Sequence, residues 1–215
     1  FVSSLEFEAV FSCFISRKPA RNHRFGRYFY PLSCENFFLD CFLLLAHTLS
    51  MTPINSAPEE QLVARIKRFT ALPAELPWLE FKVNGLSSGS EIAKYACALG
   101  NSARLHNEPA GYLIWGVNDD HEVVGTSFNW QRAKGKGNED LLPWLNRVIS
   151  PAPDLTFDEV TVDGHLVVLL RIPAALSSPY SFDEKRYFRK GSYVKNLMDF
   201  PNEERQLWQK LNQFE

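Results

Sequence analysis

The sequence predicts an α/β fold, an α+β arrangement on a mixed sheet with a helix at each end. Three observations predict it. Helical and extended periodicities alternate between residues 56 and 149, residues 112–117 form a nearly continuous apolar run, and Asp163-Gly164 joins two extended segments. A continuous apolar run marks a strand buried on both faces, and Asp-Gly between extended segments marks a hairpin.

Ser56-Ala57-Pro58-Glu59 is a helix-start signal, with Ser56 able to cap and Glu59 three residues later. Leu62, Val63, Ile66 and Phe69 follow at helical spacing, and Pro73 and Pro77 close the element. Trp78-Leu79-Glu80-Phe81-Lys82 alternates as a half-buried strand would. A Gly/Ser loop over 85–89 leads into a second helix. Ser88 and Glu91 form its expected capping box, and Ile92, Tyr95, Ala96 and Leu99 its inward stripe. After the 112–117 strand comes a turn at 118–121, and Val123-Val124-Gly125 resumes extended structure. Asn138 is expected to cap a third helix with the stripe Leu141, Leu142, Leu145, Val148 and Ile149, stopped at Ser150-Pro151. Residues 155–162 and 165–173 make the hairpin. Arg186-Tyr187-Phe188-Arg189 reads as a short strand, and residues 201–214 as a polar helix anchored by Leu207, Trp208 and Leu211.

The chain of 215 residues carries 23 Lys and Arg against 25 Asp and Glu, a formal net charge of -2. That balance excludes a histone-like or polybasic protein but leaves room for a local basic face. A chain of this length buries roughly 70% of its unfolded surface, so no cofactor is required for folding. No phosphate-loop, nucleophile-elbow or zinc-ligand spacing is present.

Composition breaks at Met51. Residues 1–50 hold nine of the seventeen Phe and three of the four Cys (Cys13, Cys34 and Cys41). Three readings fit this segment: an appendage, a targeting sequence behind Arg21, Arg24 and Arg27, or a stretch upstream of a translation start at Met51. Its apolar run at 37–46 is broken by Asp40 and is short of the ~20 residues of a membrane span, so no membrane partner is expected. The remaining Cys97 stands alone on a helix, which fits a reducing, cytoplasmic compartment. The expected organisation is therefore an extension at 1–50, a helix at 51–74, a domain at 75–195 and a closing helix at 196–215. A homodimer is left open.

Basic residues cluster late in the chain. Lys185, Arg186, Arg189, Lys190 and Lys195 interleave with Tyr187, Phe188 and Tyr193. Cations engage phosphates and aromatic faces can stack on unpaired bases, so the partner expected here is nucleic acid, RNA or DNA. Strand alternation puts Arg186 and Phe188 on one face, Tyr187 and Arg189 on the other. Arg132, Lys134 and Lys136, with Gly135 and Gly137, read as a flexible basic loop that could clamp a backbone.

Several motifs occur in a telling order. They are Glu80-Phe81-Lys82, then Ile92-Ala-Lys-Tyr-Ala-Cys-Ala98 with Asn101, then Gly111-Tyr-Leu-Ile-Trp-Gly-Val117 with Asp119. Ile149-Ser-Pro151, Asp163-Gly164, Pro179-Tyr180 and Tyr187-Phe-Arg189-Lys-Gly191-Ser192 follow. Together they resemble the Schlafen AlbA-2 domain family over roughly residues 75–195. The resemblance implies a single domain of that fold and a nucleic-acid-binding role. Bacterial relatives are described as DNA-binding proteins or transcriptional regulators. Vertebrate relatives include endoribonucleases that cut structured RNA with three carboxylates, two of them five residues apart around the Glu-Phe-Lys motif. By that resemblance Glu75, Glu80 and Asp119 (or Asp120) take the catalytic and metal-ligand positions. One departure is visible: the family's Asn-Thr-x-Gly-Gly turn is replaced by the longer stretch 101–111, with Ala110 for the first Gly.

Three carboxylates brought together can hold Mg²⁺ or Mn²⁺, which take oxygen ligands and activate water, and Lys82 could then contact the scissile phosphate. The same residues also have a plainer reading. Glu75 could satisfy a loop, Glu80 and Lys82 could form an exposed same-face pair, and Asp119-Asp120 could be turn chemistry. Three functions follow: a nucleic-acid-binding domain with a regulatory use, a metal-dependent endoribonuclease, or a protein-interaction module.

Overall fold

A computed structural model describes residues 58–86 and 88–214. The extension at 1–50 and the cap expected at Ser56 lie outside them. The described residues form a mixed α+β structure with a helix at each end, as the sequence predicts.

Helix α1 runs Pro58–Thr70 and buries Ile66 and Phe69. Strand β1, Leu79–Lys82, pairs parallel with β2, Ala110–Trp115, and between them lies helix α2, Gly89–Leu105. All six residues of β2 are buried, because it sits between β1 and the antiparallel β5, His165–Pro173. β4, Thr156–Val162, closes the far side, giving the order β1-β2-β5-β4. The β4–β5 turn has both central residues left-handed, Asp163 at φ 50° and Gly164 at φ 85°, the geometry that matches strand twist.

A second sheet has the order β3-β6-β7-β8. It comprises β3 (Ile149–Ser150), which follows helix α3 (Leu141–Val148), β6 (Ser181–Phe182), β7 (Lys185–Lys190) and β8 (Tyr193–Asn196). Helix α4, Pro201–Leu211, is the last helix of the fold and buries Leu207 and Leu211. Two cores result. One packs α1 with Leu79, Phe81, Tyr112, Ile114 and Val160. The other gathers Ile92, Ala96 and Leu99 of α2 with Leu113, Trp115, Leu145, Phe188 and Leu207. Helix α2 thus lies between the two sheets.

Four local expectations are corrected. Helix α3 begins at Leu141 behind Asp140, so Asn138 does not cap it. Ser88 precedes α2 but makes no side-chain capping bond. Residues 123–125 contribute a single bridge, Val117 to Val123, in place of a strand. Asn101 to Leu105 belong to α2, so the substituted stretch is a longer helix followed by a short turn.

Asn101 ties α2 to the second sheet. Its buried side-chain amide donates to the Tyr180 and Tyr187 carbonyls, at 2.8 and 2.9 Å, and its oxygen accepts from the Tyr180 N–H at 2.8 Å. One side chain therefore fixes both β7 and the segment entering β6. No helix among the described residues is long and apolar enough to cross a membrane.

Candidate functional site

Glu75, Glu80 and Lys82 meet at the open edge of β1. The carbonyls of Trp78 and Lys82 face β2, where they accept from Tyr112 and Gly116. Leu79 and Phe81 turn their backbone groups the other way, where the Leu79 N–H donates to the Leu76 carbonyl at 2.9 Å and two side chains engage the edge. Glu75 Oε1 accepts from the Phe81 N–H at 2.7 Å, and Arg189 Nη1 donates to the Leu79 carbonyl. Arg189 Nη2 also reaches Glu75 Oε2 at 3.0 Å, while Nη1 forms an ion pair with Glu80 Oε2. Lys82 Nζ bonds Glu80 Oε1. An edge strand with unpaired groups invites further pairing, and here the ion cluster closes it.

Glu80 is only 2% exposed and Lys82 is half-buried, so their same-face pair is largely withdrawn from water, contrary to the exposed pair expected. Burial pushes its carboxyl above the ordinary range, opposed by Arg189 and Lys82. For Lys82, burial favours the neutral form, but the bond to Glu80 and the nearby negative groups outweigh it and its value rises. Tyr95 beside them is also raised, by burial and then by the Glu80 charge.

Asp119 does not join this cluster. It is exposed in the turn after β2, where Asn118 Oδ1 accepts from the Asp120 and Glu122 N–H groups. Among the described residues, no three His, Cys, Asp or Glu side chains gather as metal ligands. The three-carboxylate expectation for Mg²⁺ or Mn²⁺ therefore does not fit this donor set. Glu80 is already matched by two cations, and Glu75 is used on backbone and guanidinium.

The basic strand is divided by its own pleat. Arg189, expected to contact phosphate, is buried at 3% exposure beneath β1. Its ion pairs and its backbone bond to Ser102 Oγ make it a core residue, because long polar side chains enter a core only when matched. Arg186 and Lys190, on the other face with Phe188, are paired to Glu204 and Glu203 of α4. Lys185 and Lys195 stay exposed, the latter over the Tyr193 ring at 5.3 Å.

The 132–137 loop is packed, contrary to the flexible clamp expected. Gly135 lies so close to Trp144 that a Cβ there would fall 2.1 Å from the indole. Its N–H bonds the Glu139 carbonyl, and Lys134 pairs with Asp140. Arg132 and Lys136 remain exposed. Replacing Gly135 with Ala should therefore push the loop off α3 and cost roughly 1–3 kcal/mol, as overpacking does; urea denaturation measures it.

Beside that loop lies a groove of about 650 Å³ lined by Ser90, Lys94, Lys136, Trp144, Arg147, Val148, Phe182 and Asp183. Lys94 and Lys136 form no ion pair among the described residues, whereas Arg147 is held by Glu139. Trp144 is 3% exposed and packs edge to face with the half-buried Phe182 at 5.9 Å, so its ring is used within the protein.

A family model described as Schlafen, AlbA_2 matches residues 75–198, more than half of the chain. The chain belongs to that family. The Schlafen AlbA_2 match begins at Glu75 in the edge cluster and ends just beyond β8. No protein of curated function matches the sequence. Among solved structures, the chain is similar to the DIP2311 protein of Corynebacterium diphtheriae, at 20% identity and a TM-score of 0.41, over 64% of this chain and 26% of that one. It is also similar to the N-terminal domain of a RecG-related protein from Nitrosomonas europaea, at 18% identity and a TM-score of 0.35, over 62% of this chain and 90% of that one.

Within this Schlafen AlbA_2 domain, sequence reasoning missed Lys94 and Arg147. Both stand on the outer faces of amphipathic helices, where single cations are ordinary. The signal available was weak: Lys94 falls opposite the Ile92–Ala96 stripe one turn into α2, and only folding brings it beside Lys136.

Proposed function

We propose that the protein binds nucleic acid, RNA or DNA, through its phosphate backbone in the groove between α2, α3 and the 132–137 loop, with a regulatory use. The observation that carries this is the pair of unpaired ammonium groups, Lys94 and Lys136, beside Arg147 in one groove. A chain of net charge -2 draws phosphates only where cations are gathered and left uncompensated. Exposed Lys185, opposite the groove residue Phe182, together with Arg132 and Lys195, would extend the track. Trp144 is buried and packs edge to face with Phe182, so backbone and shape would be read in preference to bases. Membership of the Schlafen AlbA_2 family, which the sequence resemblance associates with nucleic-acid binding, supports the same reading.

The test uses the full chain with labelled transfer RNA, single-stranded DNA and duplex DNA, titrated at several salt concentrations. The Lys94→Glu/Lys136→Glu variant should bind about tenfold or more weakly. Its slope of log affinity on log salt should flatten by roughly 0.7–0.9 for each phosphate no longer neutralised. An unchanged slope removes the groove from the function. Running the same mixtures with Mn²⁺ or chelator tests the endoribonuclease reading of Glu75, Glu80, Lys82 and Asp119. Cleavage abolished in Glu80→Gln would revive it, and binding without cleavage leaves those side chains to structure. If nothing binds, a protein-interaction module is the better description.

A further inference from the structure

The acidic first turn of helix α4 meets two cations of β7. Arg186 Nη1 meets Glu204 Oε1 and is hydrogen-bonded to it, and Lys190 Nζ donates to Glu203 Oε1 at 2.8 Å. Each cation also lies over an aromatic ring of the same region: Arg186 over Trp208 at 5.8 Å and Lys190 over Phe200 at 4.5 Å. The strip thus has the parts of an anion site, two cations at a spacing of four along a strand with aromatic flanks, and two carboxylates fill it.

These carboxylates can be exchanged. The helix is anchored elsewhere, by fully buried Leu207 and nearly buried Leu211. The pairs themselves are accessible, with Arg186 and Lys190 side chains 37% and 54% exposed. Ion pairs exposed to this degree contribute little to stability, so a run of linked phosphodiesters, each with one negative charge, can replace them while the helix stays docked. The contrast with Arg189 is direct: that guanidinium is buried and matched and has no such freedom.

We propose that Arg186 and Lys190 form a second phosphate-binding strip, on the opposite face of β7 from Lys185, which Glu203 and Glu204 occupy as built-in competitors. The ligand class is a phosphodiester backbone; the strip deepens the nucleic-acid reading and rests on it for its ligand.

The experiment compares wild type with Glu203→Gln/Glu204→Gln, using a labelled 20-nucleotide single-stranded RNA at several salt concentrations. Gln preserves shape, so the fold is expected to survive, and thermal unfolding confirms it. Glu59→Gln/Glu60→Gln makes the same change in net charge on exposed residues of α1 and serves as the control. The α4 variant should bind about fivefold or more tightly, with a salt slope steeper by the equivalent of roughly one to two further phosphates. The control should not, and adding Arg186→Gln/Lys190→Gln should cancel the gain. Equal affinity and slope in wild type and the α4 variant overturn the strip while leaving the groove reading intact. So does an equal gain in the control. Binding by the α4 variant alone supports the strip and removes the groove. Binding by neither removes both.

Discussion

Arg189→Met is expected to destabilise the fold by about 3–5 kcal/mol, the usual result of removing one partner from a buried ion pair. Three losses coincide. Glu80, 2% exposed, keeps only Lys82 as a cation. Glu75 loses the guanidinium that holds it over β1, and the Leu79 carbonyl loses its donor. Met occupies much of the same volume, so a cavity contributes little and the effect reports on charge and hydrogen bonding. Chemical denaturation would show a lower midpoint with an unchanged slope. Adding Glu80→Gln should recover part of the loss by removing the stranded carboxylate. A loss below about 1 kcal/mol for Arg189→Met would mean that the cluster is not structural, and the claim that these carboxylates serve the sheet would fall with it.

Asn101→Ala should be nearly as damaging, at about 3 kcal/mol or more. The buried amide makes three bonds to backbone at Tyr180 and Tyr187, and each buried group left unsatisfied costs about 1–3 kcal/mol. Ala is the better helix former, which offsets only about 0.5 kcal/mol. Asn101→Asp separates donor from acceptor: it keeps the bond from the Tyr180 N–H, loses both amide donations and adds a buried charge. It should therefore fall below Asn101→Ala in thermal unfolding. If Asp matched wild type, the two donated bonds would not be what joins α2 to the second sheet.

Both residues also measure how far the sequence could be read. Elements with strong periodicity came out in order: the α1 stripe of Ile66 and Phe69, the wholly buried β2, the Asp163-Gly164 hairpin, and α4 anchored at Leu207 and Leu211. The split of Arg186 and Phe188 from Tyr187 and Arg189 by strand alternation matches the structure as well. What local pattern could not carry was the use of polar residues across the fold. Asn101 and Ser102 resemble loop residues by propensity, and their partners lie some eighty residues away. Arg189 looks like its neighbours Arg186 and Lys190 in sequence, yet the pleat sends it under β1, a strand whose edge no local window reveals. Gly135 reads as loop freedom, because nothing nearby in sequence announces the Trp144 ring against it. The groove was half legible: Lys136 belongs to a visible cluster, whereas Lys94 and Arg147 reach it from separate helices.

The closure of β1 by Arg189 has a consequence in time. The chain is made from the N-terminus, and Arg189 leaves the ribosome 110 residues after Leu79. At about 5–20 residues per second, translation leaves that edge uncovered for roughly 5–20 seconds. During this interval Trp78, Leu79 and Phe81 flank an edge that only Leu76 and Glu75 engage, and the Leu79 carbonyl and the Glu75 and Glu80 carboxylates wait for the guanidinium. Slow codons or stalls between β5 and β7 would prolong the interval. The last sheet to be synthesised is thus what makes the first strand safe.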